Sequence, residues 1–483
     1  MSRVNLSLAE YRDLAKTGKV VPLALTMEGD LETPINLFLK LCSAPNSYLL
    51  ESVTGGEKWG RYSYIGRNPV AVIKAHGSTV TIAERSGKII QQQGEALQLI
   101  EDYLARYQAV SLPNLPDFTG GAIGQISYDY AAKFGKNNGF QFPEIHLLVF
   151  DQIIAYDHLK QNVIVIQNVS LDGDLEANYT QALRELTEVS QEIMERVVEY
   201  PFLEQSAPQL NGKLFSNETK ESFMKKVIHA KQYIEKGVVS QVVLSQQFGL
   251  QTSINPFTAY RKLRSINPSP YLFYIDYGDY QLVGSSPELL VKVKDNLVET
   301  CPIAGTRPRG RTEAEDEAYA AQLLADQKEL AEHLMLVELG KADLEKIARP
   351  GSVKTTKYLA IEKYSHVMHM VSHLVGELQA NYTMFDAIEA CLPAGTVSGS
   401  PKEKAMEIIA QLENHNRGIY AGAVGYLGFN GNMDLCITIR TLLFHQGKAY
   451  VQAGAGIVAD SVPEKEYEET MIKARALLTA INS

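Results

Sequence analysis

The stretch Ala421-Gly-Ala-Val-Gly-Tyr-Leu-Gly-Phe-Asn430-Gly-Asn-Met-Asp-Leu-Cys-Ile-Thr-Ile-Arg440-Thr-Leu-Leu-Phe-His-Gln-Gly-Lys-Ala-Tyr450-Val-Gln-Ala453 decides the architecture. It reads as strands at Ala421–Phe429, Leu435–Phe444 and Ala449–Ala453, joined by only a few turn-forming residues. Links that short join antiparallel neighbours, because a parallel crossover needs a dozen or more residues. Working outward, strands recur at Val238–Leu250, Tyr271–Tyr277, Gln281–Gly284 and Glu288–Val293. Earlier ones are read at Val70–Lys74, Thr79–Ala83, Leu147–Tyr156 and Asn162–Asn168. Gly121-Ala-Ile-Gly-Gln-Ile-Ser-Tyr-Asp129 echoes the small-apolar-small rhythm of Gly422–Asn430, as two related strands of a two-sheet fold would. The class is α+β rather than doubly wound.

Two long helices are expected. Glu313–Ala348 carries Leu323, Leu330, Leu334 and Val337 on one stripe and stops at Pro350-Gly351. Glu464–Ile481 carries Tyr467, Met471, Ala474, Leu478 and Ile481, and Ser461-Val-Pro-Glu464 reads as a capping box. The clearest boundary runs from Tyr200-Pro-Phe through Ala207-Pro-Gln-Leu-Asn-Gly212, after a helical run at Leu183–Val198.

The chain has 483 residues, enough for two to four domains or one large intertwined unit. Its 46 Lys+Arg against 56 Asp+Glu give a net charge of −10, which argues against a nucleic-acid-binding body. Hydrophobic residues at 45% and charged ones at 21% fit a globular protein with a large core. Cys42, Cys301, Cys391 and Cys436 lie far apart, without the pattern of a disulfide framework or zinc ribbon. The charge-interrupted N-terminus lacks a signal-peptide core, and no window holds about 18 consecutive apolar residues. A cytoplasmic protein is the expectation.

Several constellations carry possible chemistry. Glu329 and Glu332, and again Glu466 and Glu469, are spaced i, i+3 on the two long helices. Each pair reads either as a solvated face or as oxygen donors for a hard cation such as Mg²⁺. His366, His369 and His373 share a face of a stretch read as helical, but no His-Glu-x-x-His signature or fourth zinc ligand accompanies them. Pro302–Gly310, Pro393–Lys402 and Ala453–Ile457 are glycine-rich, reading either as turns or as backbone cradles for an anion. None is a Walker A loop.

Taken together the segments resemble the chorismate-utilising enzymes, most closely the anthranilate synthase component I group. The resemblance runs over nearly the whole chain. It begins with Leu49-Leu-Glu-Ser52, Gly60-Arg-Tyr-Ser-Tyr-Ile-Gly66, Gln241-Val-Val-Leu-Ser245 and Asn267-Pro-Ser-Pro-Tyr271. It continues through Gly284-Ser-Ser-Pro-Glu288, Pro302-Ile-Ala-Gly-Thr306, Ala331-Glu-His333, Tyr364-Ser-His-Val-Met-His369 and Pro393-Ala-Gly-Thr396. Ile439-Arg-Thr441 and Gly454-Ala-Gly456 complete it.

The resemblance implies two orthogonally packed, largely antiparallel sheets flanked by helices in four layers. It divides the chain into a regulatory region at 1–200, a linker at 201–217 and a chorismate-binding catalytic region at 218–483. The implied reaction is Mg²⁺-dependent conversion of chorismate and ammonia to anthranilate and pyruvate, the first step of tryptophan biosynthesis. Glu332 and Glu469 match the metal ligands, and Glu329 and Glu466 the carboxylates that support them. Glu288 matches the general acid for the leaving hydroxyl. Tyr420, Arg440, Lys473 and the Gly454-Ala455-Gly456 backbone match groups that hold the substrate carboxylates. His369 and Thr396 match residues facing the ring and the pyruvyl portion.

Two positions separate siblings within the family. Gln241 stands where water-using members carry a lysine base, and glutamine cannot take a proton from water, so ammonia is favoured. Ala304 stands where aminodeoxychorismate synthases carry a nucleophilic lysine, and alanine leaves that carbon open to ammonia. Glu51-Ser52 with Asn267-Pro268-Ser269-Pro270-Tyr271 matches the tryptophan-binding site of feedback-inhibited members, although Ser52 before Gly55-Gly56 also reads as a hairpin turn. No glutaminase setting accompanies the cysteines, so the resemblance implies a separate glutamine amidotransferase subunit as ammonia source. Lys341-Ala342 replaces a usual Arg-Asn, Gln247 a frequent arginine and Ser400 an alanine, departures that bear on hydrogen bonds around the metal helix. A sibling aminodeoxyisochorismate- or aminodeoxychorismate-type synthase and a non-catalytic tryptophan-binding paralogue are the rival readings.

Overall fold

The computed structural model describes residues 3–52, 60–132, 142–198, 214–364 and 367–482. The opening stretch contains a break that no Gly or Pro marks. Leu435–Phe444 is two strands, Met433–Ile437 and Thr441–His445, and they belong to different sheets. The chain changes sheets across Thr438-Ile-Arg440, where Arg440 takes a left-handed φ of 49°. Leu147–Tyr156 divides in the same way, into Ile145–Phe150 and Gln152–Asp157 on either side of Asp151. A third crossover falls at Pro287-Glu288, between Gln281–Ser286 and Leu289–Lys294. Proline has no N–H to continue a ladder, so the first sheet ends there.

One sheet has thirteen strands and the other twelve, and every pairing between strands is antiparallel among the described residues. Both sheets draw strands from both ends of the chain. Ser47–Glu51 pairs with Tyr271–Asp276 in the first. In the second, Gly121–Ile126 pairs with Ala423–Gly428, so the two strands with echoing sequences are direct neighbours and Gly124 faces Gly425. The regions on either side of residues 199–213 therefore share both sheets. Most of the expected linker, including its Pro/Gly-rich part, lies outside the described residues.

Three apolar clusters set the layers. Tyr48, Phe273 and Leu282 of the first sheet meet Ile123, Leu148 and Val424 of the second. The other face of the first sheet is covered by Pro34–Leu41, Leu175–Glu195, Pro256–Ile266 and Pro463–Asn482. The second sheet carries Ala96–Leu104 and Met384–Cys391. The result is helix, sheet, sheet, helix, with each buried large apolar side chain contributing about 1.5–3 kcal/mol. No described helix is long and apolar enough to cross a membrane.

Local capping revises the helices. Glu313–Ala348 is two helices, Glu313–Ala325 and Gln327–Glu345. Asp326 divides them, its carboxylate accepting the N–H groups of Lys328 (3.1 Å) and Glu329 (3.3 Å) as an N-cap. The buried face of the second helix is His333, Leu336, Val337 and Leu344, displaced from the expected stripe. The last helix opens at Pro463, and Ser461 Oγ accepts from Val458 N–H instead of forming a capping box. The histidine stretch is a strand, Val367–Glu377, not a helix. His373 there lies 3.5 Å from Cys301 Sγ and 3.6 Å from Glu362, and His366 is outside the described residues. Two glycine-rich segments are strand rather than loop: Ile303–Pro308, and the end of Lys448–Ile457.

Candidate active site

The crossovers at Pro287-Glu288 and Thr438–Arg440 are stitched together. Ser285 N–H donates to Arg440 O (3.1 Å), and Ile437 N–H donates to Glu288 O (3.0 Å). Ser286 Oγ donates to Ile437 O (2.6 Å). An acid and a base far apart in sequence are thus fixed at one end of both sheets, beside a cavity of about 250 Å³. The cavity is walled by Gln241, Ala304, Glu332, His369, Thr396 and Tyr420, together with Glu288, Arg440, Gly454, Gly456 and Lys473.

Glu288 is buried, and loss of hydration pushes its carboxyl up to about 7. The Thr396 hydroxyl and the charges of Arg440 and Lys473 pull the other way. That hydroxyl is itself buried and has no aligned hydrogen-bond partner. Arg440 makes no ion pair within 4 Å among the described residues, and burial lowers its pKa while Glu288 opposes the shift. A cation so placed awaits an anion. Lys473 bridges Glu469 (2.7 Å) and Gly454 O (3.0 Å).

His369 Nδ1 donates to Gly305 O at 3.1 Å, with Thr306 Oγ1 at the same distance. That bond selects the tautomer with a lone pair on Nε2. Burial and the Arg440 charge lower its pKa, holding the ring neutral. Tyr364 packs edge-on at 5.5 Å. Cavity side chains approach the glycines at 454 and 456 closely. A Cβ at 454 would sit 2.6 Å from Tyr420 Oη, and one at 456 would sit 2.7 Å from Gln241 Nε2. Ala455, between them, turns its methyl into the helix-covered core, so it offers the cavity only backbone.

Of the four glutamates, Glu332 lines the cavity; Glu329, Glu466 and Glu469 do not. Glu332 pKa is raised first by burial, then by the negative charges of Glu329 and Glu469. Burial raises Glu466 too, with Glu469 adding to the shift. The carboxylates therefore feel one another, yet each faces a local partner: Arg307 for Glu329, Lys473 for Glu469, Gln241 for Glu332. Among the described residues no three His, Cys, Asp or Glu side chains converge into a ligand set.

A second cavity of about 350 Å³ lies between the sheets and is walled by Glu51, Ser52, Pro270 and Tyr271 with Tyr426 and Lys292. Asn267 and Ser269 stand behind it, hydrogen bonded to Ser285 Oγ (both 2.9 Å), and Pro268 is not in its wall. Glu51 is committed to Tyr260 Oη (2.6 Å) and Arg264 (2.9 Å).

Sequence reading missed the buried pair Arg417–Glu413 behind the first cavity. An arginine in Glu-Asn-His-Asn-Arg417-Gly reads as a surface turn, and only its position in the fold gives it meaning.

The chain is a member of the chorismate-binding enzyme family, whose model matches residues 46–479. The chain is 46% identical to anthranilate synthase component 1 of Acetivibrio thermocellus, over 98% of each chain. It is 43% identical to the protein of that name from Aquifex aeolicus, covering 99% of this chain and 98% of the other. The crystal structure of anthranilate synthase component I from Streptococcus pneumoniae superposes with a TM-score of 0.77 at 37% identity, covering 93% of this chain and 98% of that one.

Proposed function

We propose that this chain is the chorismate-aminating component of an anthranilate synthase, converting chorismate and ammonia to anthranilate and pyruvate. The observation that carries the reading is the placing of Glu288, a carboxyl held up to about 7, and the cation Arg440 around one cavity at a stitched double crossover. Arg440, Lys473, Tyr420 and the Gly454–Gly456 backbone hold the two substrate carboxylates. Glu288 then delivers its proton to the departing ring hydroxyl. Ammonia enters beside Gln241, which offers a carbonyl acceptor and no base for water. Ala304 leaves the neighbouring carbon free of a competing nucleophile. Neutral His369, with its Nε2 lone pair, takes the ring proton when pyruvate leaves.

The donor chemistry of Glu332 and Glu469, supported by Glu329 and Glu466, fits Mg²⁺. Mutual repulsion that raises the Glu332 pKa is what a divalent cation relieves. When bound, Mg²⁺ would neutralise a substrate carboxylate and draw electron density from the ring. A separate glutamine amidotransferase supplies ammonia in this reading. Tryptophan fills the cavity at Ser52, Pro270 and Tyr271 as an inhibitor, so 1–200 and 218–483 build the regulatory site together, whereas the catalytic groups all come from 218–483.

The test is purified chain with chorismate, Mg²⁺ and ammonium salt, following anthranilate fluorescence and pyruvate. Both products support the proposal, and an aminated product without pyruvate replaces it by the aminodeoxyisochorismate alternative. Anthranilate formed from glutamine by this chain alone would remove the separate subunit from the proposal.

A further inference from the structure

Two residues outside the active-site cavity hold much of its wall. Arg417 and Glu413 are both buried and form a two-point pair, Nε to Oε2 at 2.9 Å and Nη2 to Oε1 at 2.7 Å. Two further guanidinium N–H groups go to backbone, Nη1 to Val397 O (2.7 Å) and Nη2 to Val243 O (2.8 Å). Glu413 accepts from Ser245 N–H (2.8 Å) and Oγ (2.9 Å), and that hydroxyl accepts from Gln452 Nε2 (2.9 Å). The Arg417 carbonyl takes the N–H of Tyr420 (3.2 Å), and its guanidinium stands 5.6 Å from the Tyr420 ring. Val243, Val397, Tyr420 and Gln452 all line the active-site cavity, whereas Arg417 and Glu413 do not.

Part of the wall has a second void behind it. This further cavity of about 210 Å³ is lined by Arg417 and shares Tyr420 and Gln452 with the first. Tyr420 and Gln452 each face a void on two sides, so directed hydrogen bonds add to packing in setting their position. The planar fork of arginine serves several acceptors at fixed angles, which a lysine cannot reproduce. Asp129, from the other end of the chain, completes the mounting by accepting Arg417 N–H (3.2 Å) and Gly418 N–H (2.8 Å).

We infer that Arg417, paired with Glu413, is a positioning residue that sets Thr396 against Glu288 by holding the carbonyl of the next residue, Val397. This inference rests on the proposed reaction. Glu288 and Thr396 wall the same cavity, and Glu288 also lies in the field of Arg440, Lys473 and the Cys301 thiol. His369 lies within the field of the same Arg440. If Arg417 releases Val397, the Thr396 hydroxyl moves away from Glu288 while the charges stay in place.

The experiment compares Arg417→Lys, which keeps the charge but not the fork, with Glu413→Gln/Arg417→Met, which leaves no unpaired buried charge. Each is made with and without Thr396→Val in the full chain. Turnover with chorismate and ammonium is measured against pH, alongside thermal melting. Parent turnover tests the proposed reaction; the ratio of variant to parent tests the clamp. Expected is a fall in kcat of about tenfold to a hundredfold. The alkaline limb of kcat/KM should move to higher pH, and Thr396→Val should add no further movement in either background. Folded variants with parental kcat and an unmoved limb overturn the inference. So does a full additional effect of Thr396→Val. Failure of both variants to fold makes Arg417 a folding residue and overturns it as well.

Discussion

The side-chain amide of Gln241 donates to Glu332 Oε1 across 3.3 Å, and its own Oε1 is buried without a partner. One glutamine thus ties the cavity to the acidic helix and keeps a free acceptor inside. An unmatched buried acceptor costs about 1–3 kcal/mol, which an N–H donor recovers on binding. Ammonia is such a donor. Gln241→Met removes the acceptor at similar volume and is expected to raise the KM for ammonium about tenfold, the worth of one hydrogen bond. The KM for chorismate should change much less. Initial rates at varied ammonium, with the free-ammonia concentration held known, check this; equal effects on both constants would count against it.

Glu288 gives the second prediction, in activity and in stability. As a general acid it must be protonated, so kcat/KM should fall as pH rises past about 7. Its folded pKa lies above the ordinary 4.5, so the native state binds the extra proton between those values. Unfolding free energy therefore declines as pH rises from about 4.5 to 7 and loses no more above that. Glu288→Gln abolishes the acid and also this loss, which amounts to roughly 3 kcal/mol at 1.36 kcal/mol per unit. The variant should be inactive yet melt higher than the parent at pH 8. Calorimetric scans at pH 5 and pH 8 decide it, since the gain must vanish at the lower pH.

The fold class was legible because short turns between apolar runs force antiparallel pairing. What stayed hidden were the points where a strand leaves one sheet for the other. In Leu435–Phe444 the break falls at Thr438-Ile-Arg440-Thr441, where polar residues alternate with an apolar one as they do along a strand and no Gly or Pro marks a turn. That hidden turn places Arg440, whose importance came from resemblance rather than from pattern. The i, i+3 glutamates were visible as spacing, but not that Asp326 caps a new helix beginning one residue later. The histidine run misled because spacing alone fits a helix face, while strand Val367–Glu377 also puts residues two and four apart on one side. Arg417 left no trace, since a buried arginine in a turn differs from a surface one only through partners remote in sequence.

The acidic helices lead to a third prediction. Glu332, Glu329 and Glu469 repel one another, and Glu466 joins through Glu469, so a divalent cation that bridges them should stabilise the native state without substrate. At a hundred times its Kd the gain is about 2.7 kcal/mol. Melting temperature should rise with Mg²⁺ and return to its starting value with EDTA, which should also abolish turnover. Glu332→Gln should melt higher than the parent in EDTA, having lost a repelling charge, and gain less from Mg²⁺. A Mg²⁺ response unchanged in Glu332→Gln and in Glu469→Gln would move the metal elsewhere.

The cavity at Ser52 allows inhibition to be separated from catalysis. Its wall of Ser52, Pro270, Tyr271 and Tyr426 has no residue in common with the active-site cavity. The two are nonetheless close in bonding. Ser269 and Asn267 hydrogen bond to Ser285 Oγ, and Ser285 N–H holds the Arg440 carbonyl. A ligand that shifts Pro270 and Tyr271 therefore has a short route to Arg440, provided it prefers one arrangement of that bond. Ser52→Leu places a larger apolar side chain in the wall and should abolish tryptophan inhibition while leaving kcat and KM within about twofold of the parent. Ser285→Ala keeps the cavity and removes the hydroxyl, so tryptophan should still bind by calorimetry but inhibit less. Inhibition curves on the three proteins decide the matter: undiminished inhibition of Ser52→Leu would place the tryptophan site elsewhere, and undiminished inhibition of Ser285→Ala would rule out this route.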